Sequence, residues 1–203
     1  MKKILFLTLT FILGAMAAAG ATKADVILDK AAQALRAPKS LTAKFSIHSY
    51  DGNASGTIVL SGRKFRMTSP QMSVWFDGKT QWSYSPQAGE CNITTPTADE
   101  LQQTNPLAVV DAYRNAYSAR LVSSGKSVCK LQLTARSPRA EIKSVSLEVD
   151  ARTYYPRSIV LTDRSGRKIS ITVSSVKAGG QQPASAFVFN TKSYKGVEVV
   201  DLR

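Results

Sequence analysis

At 203 residues, 43% of them hydrophobic and 20% charged, the chain suits a single domain. It carries no internal repeat, no low-complexity tract and no linker long enough to divide it. Its formal charge of +13 favours anionic partners such as lipid headgroups or acidic protein faces; alternatively the surface is simply basic, since the cations are spread along the chain and form no single tract.

Residues 1–21 read as a signal peptide. Lys2 and Lys3 precede an apolar stretch, Ile4 to Leu13, broken only by two threonines, and Ala19-Gly20-Ala21 supplies the small residues of a cleavage site. The stretch is shorter than the roughly 20 residues a membrane span needs. No cysteine stands in the cleavage region as a lipid attachment point. The mature chain, 22–203, is therefore expected to begin near Thr22, to be exported and soluble, and to carry +11 once the two leader lysines are gone. Export argues against nucleic acid as a partner.

Ala24, Leu28, Ala31 and Leu35 recur at helical spacing and predict a helix over 24–35, ended by Pro38. Alternating strands follow at 42–50, 56–61, 63–68, 73–77 and 80–85, with another short one at 90–94. The densest pattern lies between Lys64 and Tyr84. Phe65 and Met67, Val74 and Phe76, then Trp82 and Tyr84 each alternate with other residues, and Asp77-Gly78 marks a hairpin between two of these runs. This reading gathers the large groups on one face of an antiparallel sheet. Trp75 fits it less well, because it alternates against Val74 and Phe76.

Cys91 shares a side with Ile93, and Cys129 with Leu131 and Leu133, so both thiols are expected on the apolar face. Either they form a disulfide, worth roughly 4 kcal/mol for so long a loop, or they are two separate buried thiols acting as small hydrophobes. Thr97-Ala98-Asp99-Glu100 fits a capping box opening a short helix to about Gln103. Asn105-Pro106 punctuates it, and a second helix is predicted over 107–117, with Leu107, Val110, Arg114 and Tyr117 sharing a face and Tyr113 flanking it. Strands resume at 120–124, 127–135, 141–150, 157–163 and 167–175. A loop at 179–183 and closing strands at 187–190 and 197–202 complete the chain.

About a dozen strands thus each present one apolar row, such as Val145, Leu147 and Val149 or Ile169, Ile171 and Val173, while only about three short helices can cover them. Two facing sheets, or one curved sheet wrapped around the helices, would both satisfy the pattern. Catalytic signals are weak. His48 is the sole histidine and falls on the wet side of its strand. Ser124-Gly125-Lys126-Ser127 lacks the earlier glycine of a phosphate loop, since position 120 is Arg. No His, Cys, Asp and Glu residues stand at metal-ligand spacing. The expectation is a non-enzyme with no cofactor and no metal.

A Gly-led strand from Gly56 to Leu60, then Phe65-Arg66, Pro70, Asp77-Gly78-Lys79-Thr80 and Trp82-x-Tyr84, resembles the periplasmic outer-membrane lipoprotein carriers, the LolA family. The resemblance runs from about Ala24 to the C-terminus. It implies a mainly β chain with a few helices: an open, strongly curved antiparallel sheet, an incomplete barrel, lidded by about three short α-helices around a hydrophobic cavity. It also implies a monomeric periplasmic chaperone that carries lipoproteins from the inner to the outer membrane. Its partners would be lipoprotein acyl chains, an inner-membrane release complex, an outer-membrane acceptor and, transiently, a membrane surface. The alternative is a periplasmic sensor domain of similar fold that binds a membrane regulator or a lipid signal.

On that resemblance the acyl-chain cavity is expected to be lined by Phe45, Ile47, Phe65, Met67, Val74, Phe76, Trp82, Tyr84 and Leu147, with Leu107, Val110 and Tyr117 as the underside of the lid. Plain core packing is the other role open to each of them. In many carriers an arginine followed by proline precedes the Phe-Arg pair, and that arginine bonds to the lid. Here Ser61 and Gly62 hold those positions, and Arg63, two residues on, is the candidate substitute latch.

Overall fold

The computed structural model describes residues 21–98, 100–101, 105 and 108–203. Residues 1–20 of the expected signal peptide, part of the helix expected after Thr97, Pro106 and Leu107 therefore lie outside the described residues.

Helix α1 (Lys23–Arg36) starts at a reciprocal cap. Thr22 Oγ1 accepts the Asp25 amide at 3.2 Å, and the Asp25 carboxylate accepts the Thr22 amide at 2.9 Å. Ala24, Leu28, Ala31, Ala32 and Leu35 form its buried face. The capping box at Thr97 is present as expected: the Glu100 carboxylate accepts the Thr97 amide at 2.7 Å, and Thr97 Oγ1 accepts the Glu100 amide at 3.3 Å. Helix α2 (Ala108–Ala116) ends one residue early, because Tyr117 already begins a strand and pairs with Ala135.

Twelve strands form one open, curved sheet. They are β1 (Ser40–Ser49), β2 (Gly52–Ser61), β3 (Lys64–Thr68), β4 (Ser73–Phe76), β5 (Gln81–Ser85), β6 (Glu90–Thr94), β7 (Tyr117–Ser124), β8 (Val128–Ala135), β9 (Ile142–Asp150), β10 (Pro156–Asp163), β11 (Lys168–Gly179) and β12 (Glu198–Asp201). Their order across the sheet is β12-β6-β5-β4-β3-β2-β1-β11-β10-β9-β8-β7. All neighbours are antiparallel except β12, which lies parallel to β6. A single sheet, and not a sandwich, is thus the answer to the choice the strand pattern left open. It does not close into a barrel.

Local chemistry explains most of the turns. Asp77 accepts the amides of Lys79 and Thr80 at 2.9 and 2.8 Å, and Gly78 takes φ +103°, a value that suits glycine. Gly56 is required by a close approach. A Cβ there would stand 2.3 Å from the Thr68 carbonyl oxygen and 2.9 Å from the tip of the Phe45 ring. Gly56→Ala is expected to cost about 1–3 kcal/mol, because backbone must move. A thermal melt checks it; an unchanged midpoint would show that β3 yields freely.

One expectation is corrected. Residues 187–190 are not a strand: a 3₁₀ turn runs Ala184–Phe187 behind Pro183, and another runs Thr191–Ser193 behind Asn190, whose side chain accepts the Lys192 amide. Alternation at Phe187 and Phe189 did report burial, since both are buried. Pro183 and Asn190, however, favour turns over a ladder.

Of the two readings of the cysteines, the disulfide is not the one found, and the separate buried thiols are. Cys91 and Cys129 are both free and buried. They sit in different apolar clusters, on strands nine positions apart in the sheet. Burial pushes the Cys91 thiol up to about 11, so it resists the ionisation that oxidation needs. Reductant is expected to leave the melting temperature unchanged, and denatured, unreduced protein should titrate two thiols. One bridge and a melting shift would contradict this assignment.

Candidate functional site

One face of the sheet is dry along nearly its whole width. Leu41, Ala43 and Phe45 of β1, Ile58 of β2, Phe65 and Met67 of β3, and Val74 and Phe76 of β4 belong to a single cluster with Leu131 and Leu133 of β8, Val145, Leu147 and Val149 of β9, Ile159 and Leu161 of β10, and Ile171 of β11. Cross-strand partners continue the row, with Phe65 opposite Phe76 at a ring separation of 5.4 Å and Leu147 opposite Ile159. The cover is slight. Helix α1 packs against β7 and α2, and Val110 and Tyr113 of α2 are buried with it.

Within this layer lies a small void of about 20 Å³, lined by Ala43, Phe45, Ile58, Met67, Ile159, Ile171 and Val173. All seven are apolar. Such a space is about the size of one water molecule but offers it no hydrogen-bond partner. It is far below the roughly 300–1,000 Å³ of a ligand pocket. A long ligand therefore enters this face only if the layer opens.

The helices are held down by polar bonds at their edges. The Tyr113 hydroxyl donates to Asp29 Oδ1 and stands 3.3 Å from the Asp25 carbonyl oxygen. Arg114 Nε donates to the same Asp29 carboxylate at 3.1 Å, and a second guanidinium nitrogen completes an ion pair with it. The Tyr113 hydrogen bond, ahead of Arg114, holds the Asp29 carboxyl below the usual carboxylate range, while burial and then Asp29 push the Tyr113 hydroxyl above the usual phenol range.

A second tie secures α1 to the sheet. Lys30 Nζ donates to the Tyr154 hydroxyl at 3.2 Å. Tyr154 lies in the β9–β10 turn at φ +59°, a left-handed conformation costly for a bulky residue. Asp150 holds that turn: its carboxylate accepts the amides of Thr153 at 2.8 Å and Arg152 at 3.0 Å, and it pairs with Arg157. The Thr153 amide is the largest reason the Asp150 carboxyl stays far below the usual range.

Most of the expected site residues come together. Phe45, Phe65, Met67, Val74, Phe76, Val110, Tyr117 and Leu147 share the helix-side cluster, and Ile47 packs against it, half-buried. Two do not. Trp82 and Tyr84 join Trp75, Cys91, Phe189, Tyr194 and Val197 in a separate cluster. Val74 and Phe76 flank Trp75 and face the helices, so Trp75 faces the other way, and Trp82 pairs directly with Trp75. The 3₁₀ segment covers this outer face, with the Phe189 and Tyr194 rings tilted against each other at 4.8 Å. A polar hollow of about 250 Å³ beside it is bordered by Arg66, Trp75, Asn190 and Tyr194.

Arg63 is exposed in the β2–β3 turn and makes no hydrogen bond or ion pair with a described residue of the helices. His48 is exposed, with Nδ1 2.9 Å from Asn53 Oδ1. Among the described residues, no three His, Cys, Asp or Glu side chains gather as a metal site, and no helix is long and apolar enough to cross a membrane. The residues missed in the sequence are Asp29, Tyr113, Arg114 and Tyr154, together with the liners Ala43, Ile58, Ile159, Ile171 and Val173. The liners stand in alternating runs, but nothing in those runs marks where packing is incomplete.

Residues 14–182 match the family model described as outer membrane lipoprotein carrier protein LolA. The fold is similar to that of an uncharacterised conserved protein from Thermus thermophilus, at 14% identity and a TM-score of 0.61 over 87% of this chain and 97% of that one. It is also similar to a DUF1329 family protein from Desulfovibrio piger, at 10% identity and 0.50 over 85% and 99%. A fainter likeness, at 15% identity and 0.45 over 83% and 99%, reaches a LolA superfamily protein from Nitrosomonas europaea. No curated protein matches the chain.

Proposed function

The chain belongs to the family of outer membrane lipoprotein carrier proteins, and from that membership we propose that it is a periplasmic chaperone that receives lipoprotein acyl chains between its sheet and its helices. It carries them from an inner-membrane release complex to an outer-membrane acceptor and makes no covalent change.

The observation that carries this reading is the mismatch between floor and lid. A continuous apolar face spans β1–β4 and β8–β11, and among the described residues its helical cover is α1, α2 and Leu101, packed on it by a few apolar side chains and tied at the edges by polar bonds. Burying each CH₂ of an acyl chain there contributes about 0.8 kcal/mol and makes no directional demand. Lifting the helices costs hydrogen bonds that water largely replaces and uncovers the apolar faces of α1 and α2, a cost that the incoming acyl chains offset by covering the same surface. Acyl chains are thus exchanged for lid contacts at modest net cost, as a carrier that must also release its cargo requires.

Native mass spectrometry tests the proposal. Protein isolated from the periplasm is expected to carry lipoprotein or lipid, and purified protein should take up one triacylated peptide. A chain that binds no acylated species in either setting would end the carrier reading.

A further inference from the structure

The two edges of the helix-side face differ. At the edge bearing the β9–β10 turn, Tyr154 and the C-terminal half of α1 close over it. At the opposite edge the apolar row runs on into solvent. Ile47 stands beyond Phe45 and pairs with Ile171, and it is only half-buried. Ile169 pairs with the buried Leu161, so it points to the same side, yet it is 36% exposed.

This open edge is where the β8–β9 and β10–β11 hairpin tips lie side by side. Between them is a hollow of about 340 Å³ bordered by Thr134, Ser137, Pro138, Lys143 and Arg164. The two tips, 136–143 and 163–168, hold Arg136, Arg139, Lys143, Arg164, Arg167 and Lys168 against only Glu141 and Asp163. Asp163 is engaged by Arg167. Arg136, Arg139, Lys143 and Arg164 are exposed, and their side chains make no hydrogen bond or ion pair with a described residue. Two cations, Lys143 and Arg164, thus line the hollow, with Arg136 and Arg139 exposed on the same tip as Lys143, beside a partly exposed apolar row. That pairing matches a leaflet with phosphate at its surface and acyl chains just beneath.

We propose that the β8–β9 and β10–β11 tips dock on an anionic phospholipid surface, Lys143 and Arg164 meeting the headgroup phosphates, and hold the open edge of the apolar face against the membrane. This rests on the carrier reading for its purpose: a chain so docked passes acyl groups between protein and bilayer without exposing them to water.

The test compares three proteins on vesicles of phosphatidylcholine, with and without an equimolar share of phosphatidylglycerol. Wild type is expected to sediment with the anionic vesicles at least ten times more strongly. Each cation near an anionic surface strengthens binding about fivefold. The variant R136Q/R139Q/K143Q/R164Q should therefore lose a hundredfold or more, keep its melting temperature, and still bind a triacylated peptide in solution. A second variant, K39Q/R63Q/K126Q/R152Q, removes the same charge from the opposite edge and should lose no more than a few-fold. Equal losses in both variants would mean that bulk charge alone is at work. Equal binding by the first variant and wild type, or no preference of wild type for the anionic vesicles, would likewise overturn the proposal. Absent peptide binding alongside intact vesicle docking would count against the carrier reading and leave the docking surface standing.

Discussion

Tyr113→Phe is expected to bind an acylated peptide about ten times more tightly than the wild-type chain, although it removes a bond and lowers stability. The hydroxyl donates to the Asp29 carboxylate and so fastens α2 to α1 over the apolar face. A void of about 20 Å³ admits no acyl chain, so binding needs the layer to open, and on the proposed reading the helices are the part that lifts. Apparent affinity scales with the fraction of molecules in that form. A hydrogen bond to a charged group contributes about 1.5–3 kcal/mol, and the exposure of Asp29 and Arg114 brings the latch to the low end of that range.

Acid should act in the same direction. Tyr113 and Arg114 hold Asp29 below its ordinary 3.8, so the latch is fully present above that value and is lost as pH falls through the lowered one. Asp25, whose carboxylate lies at the start of the same helix, repels the ionised phenol and not the neutral one, so it leaves this window unchanged. Affinity is expected to be flat between about pH 5 and 8 and to rise only in strong acid. Tyr113→Phe protein with weaker binding and an unchanged melting temperature would show that this bond does not close the lid.

Phe65→Ala is expected to cost about 3–5 kcal/mol, the largest loss of any single truncation considered. Phe65 is 1% exposed and packs between Leu60 of β2 and Phe76 of β4. Total stability of about 5–15 kcal/mol makes such a loss severe. At this size it lowers the melting temperature by roughly 6–20 °C. Phe65 therefore serves as floor before it serves as pocket: folding and acyl binding should fall together. Retention of a wild-type melt with loss of binding would instead make Phe65 a ligand contact that the fold does without. Chemical denaturation beside a binding titration separates the two.

Periodicity revealed the elements whose signal is local. Helix α1 was legible within a residue at each end from Ala24, Leu28, Ala31 and Leu35, and β6 and the cap at Thr97 were legible as well. The first half of β2, Gly52 to Ser55, was not, because a ladder pairs backbone whatever the side chains are, and Asn53, Ala54 and Ser55 show no apolar alternation.

The misplacement of Trp82 and Tyr84 has a different cause. Alternation tells which residues of one strand share a face, but relating two strands takes their register. The turn at 77–80 sets Trp82 opposite Trp75 and Gln81 opposite Phe76. Because Ser73 to Phe76 is buried on both sides, that strand offers no wet face as a guide. The second cover over it comes from a segment of turns near the C-terminus that carries no period. The latch was illegible for a simpler reason: Asp29 and Tyr113 stand 84 residues apart, and only the packing of α2 on α1 brings them together.

The central claim is that acyl chains lie on the helix-side face of this sheet. A triacylated peptide with a photoactivatable diazirine in one acyl chain tests it most directly, with the labelled residues mapped by mass spectrometry. Labels are predicted on β1, β3, β10 and β11, at Phe45, Met67, Ile159, Ile171 and Val173, which border the void in the helix-side layer. Labels on Trp75, Trp82, Tyr84 and Tyr194 would place the ligand on the outer face and contradict the account.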